Sequence, residues 1–185
     1  MAIALIALLF LELIVQFAWT PAYYGWGIVL FKRRIATPAE TRVRLSPGSL
    51  ERDMAVDTWL PLAFHAMPDG RIAFRESFAV RFYPVMRGRI EVDARRREVR
   101  VLGLCNWNTL ALTLTALSMV ALHPSGAPML LMLVMFLAFF LVQRKRFLGV
   151  VEAVRAQLAD DSAGLAALEE SGRRVLTRHE RHLNP

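Results

Sequence analysis

The sequence predicts an α+β membrane protein: three transmembrane helices around a small antiparallel sheet domain closed by an amphipathic helix. Three observations carry that prediction. The 185-residue chain is 55% hydrophobic with a mean hydropathy of +0.37, yet its formal net charge is +7. Its basic residues are segregated: residues 32–103 hold 15 of the 23 Lys/Arg and residues 144–185 hold the other 8. Between the apolar segments the hydrophobic period shortens to two, the spacing of a half-buried strand. The single cysteine, Cys105, excludes an internal disulfide and with it a secreted disulfide scaffold.

Residues 1–31 are expected to form an N-terminal transmembrane anchor. From Ala2 to Phe31 the only charge is Glu12, and about 30 residues exceed a roughly 30 Å hydrocarbon core. Trp19, Tyr23, Tyr24 and Trp26 around Pro21 mark an interfacial aromatic stretch. A cleaved signal peptide would want basic residues before the apolar run, whereas Lys32, Arg33 and Arg34 follow it. Residues 104–142 read as a transmembrane hairpin, with spans near Leu104–Leu122 and Pro128–Val142 joined by a Pro/Gly loop. The positive-inside tendency then places residues 32–103 and the C-terminal tail in the cytoplasm, with the N-terminus outside. Arg144, Lys145 and Arg146, like Lys32–Arg34, are positioned to meet anionic lipid headgroups.

Residues 32–103 are expected to be a cytoplasmic antiparallel β domain of six or seven short strands. Apolar and charged residues alternate in Thr41–Leu45, Ile72–Arg75, Phe78–Phe82, Arg89–Asp93 and Glu98–Val101, with a further run near Thr58–His65. Ser46-Pro47-Gly48 and Met67-Pro68-Asp69-Gly70 are the turn signals between them. Residues 143–185 supply amphipathic helices: Phe147, Leu148, Val150, Val151, Val154 and Leu158 share one stripe. That stripe either covers the sheet or lies along the membrane. Asp160-Asp161-Ser162 reads as a break and N-cap before a second short helix.

The Tyr83–Ile90 stretch, the Glu91–Val101 hairpin and Asn106-Trp107 give the chain a resemblance. It resembles bacterial membrane-anchored pleckstrin-homology-like domain proteins, and small uncharacterised bacterial membrane proteins of similar layout. The resemblance implies a bacterial inner-membrane location, scaffolding or protein and lipid contact, and no catalysis.

Chemistry has few candidates. Glu12 and Gln16 lie one helical turn apart, a polar stripe that would pack against Asn106, Asn108, Thr113 and Thr115 of the second span. Trp107 joins the interfacial anchors Trp19, Tyr23, Tyr24 and Trp26. No catalytic residue, cofactor-binding residue or metal ligand set is expected: no glycine-rich phosphate loop, HExxH or GxSxG motif occurs, and the four histidines are scattered. Nucleic acid is not expected as a partner, because the arginines are not interleaved with exposed stacking aromatics. The function read from these features is a non-catalytic accessory or scaffold subunit of a larger membrane complex or homo-oligomer. A tethered anionic-lipid-sensing module, or a transporter component using Glu12, are the alternatives.

Overall fold

The computed structural model describes residues 2–37, 45–55, 62–76, 87–122 and 127–183. These described residues form five strands in one antiparallel sheet and five helices. In chain order these are α1 (Ala2–Phe17), α2 (Pro21–Gly25), β1 (Val29–Ala36), α3 (Pro47–Ala55), β2 (Leu62–Ala66), β3 (Ile72–Glu76), β4 (Arg87–Asp93), β5 (Glu98–Leu104), α4 (Trp107–Leu122) and α5 (Ala127–Leu183). The strand order is β1-β5-β4-β3-β2, with β1 and β2 at the two ends.

Local chemistry explains the boundaries. The β4–β5 hairpin turns tightly because Asp93 Oδ1 accepts the Arg96 N–H at 3.1 Å and Arg97 adopts a left-handed backbone at φ 52°. Pro47, expected to stop a strand, instead opens α3: proline tolerates a first helical turn, and the Ser46 carbonyl accepts the Leu50 N–H at 3.1 Å. The expected strands at Thr41–Leu45 and Phe78–Phe82 fall wholly or almost wholly outside the described residues.

Alternation gives the sheet two faces. Ile35, Val99, Val101, Ile90, Phe74 and Phe64 point to one, and α3 and the 147–158 stretch of α5 cover it through Leu50, Met54, Phe147, Val150, Val154 and Leu158. Each such fully buried aliphatic contributes about 1.5–3 kcal/mol. Gly88 exists for this packing, since any Cβ there would overlap the Phe74 ring and the Leu102 carbonyl oxygen. The second face carries Ala73, against which Tyr23 and Tyr24 pack from the α1–α2 corner and Met67 from the turn between β2 and β3.

These observations overturn the membrane reading. Among the described residues no helix is long and apolar enough to cross a membrane. The expected anchor over residues 1–31 is interrupted: α1 ends at Phe17, a corner follows, and the chain is already a strand from Val29. α1 and α4 have 16 residues each, about 24 Å at 1.5 Å per residue, short of a roughly 30 Å core. The three transmembrane helices, the multi-pass inner-membrane location and the bilayer as partner therefore lose their basis. The pleckstrin-homology-like resemblance fails too, because the described strands form one open five-stranded sheet. Nor does α5 break at Asp160–Ser162: Ser162 Oγ turns back to the Ala159 carbonyl at 2.7 Å, and the helix continues.

Candidate functional site

The densest polar constellation sits where α1, α2, β4 and the start of α4 meet. Glu12 and Gln16 are four residues apart and so share a face of α1. They are 4% and 1% exposed. Helix α1 closes with the Thr20 N–H on the Val15 carbonyl at 3.2 Å, and Trp19 takes the left-handed position at φ 48°, normally glycine's place. That reversal, followed by Pro21 in the first turn of α2, swings Tyr23 and Tyr24 back over the sheet.

Glu12 accepts three hydrogen bonds. Its Oε1 takes the Tyr23 hydroxyl at 2.5 Å and the Trp107 N–H at 2.6 Å, and its Oε2 takes the Asn108 N–H at 2.7 Å. The last two are among the amides that the start of any helix leaves without an intrahelical partner. The carboxylate therefore caps α4 from a residue 95 positions away and complements its dipole. Gln16 Nε2 donates to the Tyr23 hydroxyl at 2.8 Å.

Arg87 and Arg89, alternate residues of β4, serve the opposite end of α2. The Arg87 guanidinium is fully buried and donates to the Tyr23 carbonyl, and to the Cys105 carbonyl at 3.2 and 2.9 Å. It lies 3.6 Å above the Tyr23 ring centroid, a cation–π contact strengthened by desolvation. Arg89 donates to the Tyr24 and Gly25 carbonyls at 3.1 and 2.5 Å. Burial weakens the proton affinity of Arg87, with the Tyr23 and Glu12 side chains working against that shift. Burial also pushes the Tyr23 and Tyr24 phenols above their ordinary range, Arg87 lowering the first in part and Arg75 the second. Beside this core, Trp19 stacks on Tyr24 and His65 with centroids 5.4 and 5.0 Å apart, and Arg75 lies over Trp19 at 4.7 Å.

The constellation is a lock between helix ends. Glu12 and Arg87 spend their polar atoms on Tyr23 and on backbone termini, while the buried Gln16 Oε1, Tyr24 hydroxyl and Asn106 Oδ1 have no hydrogen-bond partner among the described residues. The crevice next to it, lined by Tyr24, Asp69, Arg71 and Arg89, has about 10 Å³ of room, enough for one water. Among the described residues no three of His, Cys, Asp and Glu come together as a metal site.

The structure scatters the other residues singled out in the sequence. Asn106 is buried just before α4, while Asn108 contributes its backbone N–H. Thr113 Oγ1 bonds the Thr109 carbonyl of its own helix at 2.7 Å, and Thr115 is half-buried. Trp107 meets Tyr23 edge-to-face at 4.9 Å, whereas Trp26 is 80% exposed. Lys32, Arg33 and Arg34 lie in β1, and Arg144 and Lys145 are exposed on α5. Arg146, expected at lipid headgroups, instead forms a buried ion pair with Glu76 of β3. Arg87, Arg89 and Glu76 went unnoticed as site residues in the sequence. Strand alternation places the two arginines on one face, but nothing in a sequence names a distant carbonyl as their target.

Comparison with family models, curated proteins and solved structures finds no match to the chain. The three functions that require a bilayer are overturned with the spans: the membrane-complex subunit, the tethered lipid sensor and the Glu12-dependent transporter component.

Proposed function

We propose that the chain is a non-enzymatic association module, whose apolar helix faces pack against those of further copies of the chain. One observation carries this reading: α1 is inside out. Its buried side chains are Glu12 and Gln16, while Ile3, Phe10 and Ile14 are 84%, 61% and 64% exposed. Exposed side chains of α4 (Leu114, Leu117) and α5 (Leu137, Leu141) extend the apolar character. Contiguous apolar surface beyond a few hundred Å² marks an interaction site. The hydrogen bonds of Glu12, Arg87 and Arg89 support a structural role, because they hold helix ends.

The test is the assembly state of the full chain by light scattering on a sizing column, with and without mild detergent, alongside crosslinking. Defined multi-chain assemblies are expected, and Phe10→Glu with Ile14→Glu should dissociate them while leaving the circular dichroism unchanged. A wild-type chain that stays monomeric at tens of micromolar without detergent refutes the reading.

A further inference from the structure

The two ends of the sheet are finished differently. At β2 α3 lies against the edge strand, and its Glu51 carboxylate accepts the Phe64 N–H at 2.8 Å. At β1, among the described residues, no strand pairs with the outer edge. Phe31–Ala36 pair in regular register with Gly103–Glu98 on the inner side. In an antiparallel edge strand every second residue turns both its N–H and its C=O outward, so this stretch offers a row of unused backbone groups.

Charge is distributed just as unevenly. Arg71 pairs with Asp69 and Glu91, Arg89 with Glu91, and Arg100 with Asp93 and Glu98. Lys32, Arg33 and Arg34 are all exposed and have no ion partner among the described residues. Among the described strand residues, the exposed positive charge without an ion partner is thus concentrated on β1, with Arg95 and Arg97 exposed at the β4–β5 turn.

We infer that the outer edge of β1 binds an acidic extended segment of a partner protein, which adds to the sheet as a sixth strand. Main-chain hydrogen bonds would supply affinity and Lys32, Arg33 and Arg34 the selectivity, a recognised mode of peptide capture. A second copy of this chain is the wrong occupant, because antiparallel β1–β1 pairing sets the same basic run against itself and like charges opposite one another destabilise a ladder. Lys32 and Arg34 project to one face and Arg33 to the other, so the complementary segment carries acidic residues at consecutive positions. This inference stands or falls separately from the helix-face reading.

The test uses the full chain and a fluorescein-labelled peptide of three consecutive glutamates flanked by valine and threonine, read by fluorescence polarisation. Salt-sensitive binding is expected, together with slowed amide exchange in residues 31–36. Lys32→Glu with Arg34→Glu should weaken binding by about tenfold or more. The milder Arg33→Gln should weaken it by about threefold, with circular dichroism confirming both folds. A peptide N-methylated at alternate residues should not bind. Equal binding of the N-methylated peptide, or no binding of the parent peptide at millimolar concentration, overturns the inference.

Discussion

Replacing Glu12 with glutamine removes one charge and one acceptor while keeping the shape of the side chain. In the native lock Oε1 serves two donors and Oε2 serves the Asn108 N–H. A glutamine can hold its oxygen at the Oε1 position and keep Tyr23 and Trp107, but its NH2 then faces the Asn108 N–H, donor against donor. One charge-assisted bond is lost, at about 1.5–3 kcal/mol, and a part-buried amide is left unsatisfied, at about 1–3 kcal/mol. The two retained bonds weaken as their acceptor becomes neutral. The expected loss is about 3–5 kcal/mol, a large part of the 5–15 kcal/mol that holds a typical domain together. Urea denaturation followed by circular dichroism measures it, and amide exchange should quicken first at residues 107–110. A loss below about 1 kcal/mol would show that Glu12 does not cap α4.

Tyr23→Phe keeps the ring under Arg87 but strips Glu12 and Gln16 of a partner, and should cost about 2 kcal/mol in the same assay. Gly88→Ala cannot be relieved by moving Phe74 alone, because the Leu102 carbonyl is backbone; a loss of about 3 kcal/mol in urea is expected. Glu76→Gln breaks a buried ion pair and should destabilise by about 3–5 kcal/mol, whereas Glu76→Leu with Arg146→Met should recover most of that loss. The Tyr23 and Tyr24 phenols have folded pKa values raised by burial above the ordinary value of about 10. Their contribution is complete below that pH and is lost as pH rises toward the folded values. Absorbance at 295 nm should therefore show at least two tyrosines ionising together with the loss of circular dichroism, not before it.

The strands were legible where their two faces meet different surroundings, even in β3, where both faces are buried. Ile72 and Phe74, or Val99 and Val101, alternate cleanly because their neighbours face a different environment. β1 hid behind its basic run: at a sheet edge Arg33 can share the face of Phe31 and Ile35 and still reach solvent. Its residues therefore read as a charged flank to an apolar span. Hydropathy misled at α1 for a related reason. A helix apolar nearly all round has no period to report, and the clue to its inner face is the i, i+4 pair Glu12 and Gln16. That pair was legible as a polar stripe. Its partners were not, since any residue can carry the backbone N–H groups at Trp107 and Asn108.

The inside-out helix follows from what lies beneath it. The first turn of α4 needs acceptors and the last turn of α2 needs donors, and each is buried in the same corner. Apolar side chains could satisfy neither, so the inner face of α1 supplies Glu12 and Gln16, and β4 supplies Arg87 and Arg89. Tyr23 joins the two halves, giving its hydroxyl to Glu12 and its ring and carbonyl to Arg87. Networks of this kind fix orientation as well as stability. With its polar residues committed inward, α1 turns Phe10 and Ile14 outward at an angle set by the lock. The apolar association surface is therefore a consequence of the capping chemistry. A change at Glu12, which is itself inaccessible, should weaken assembly as surely as a change at Phe10.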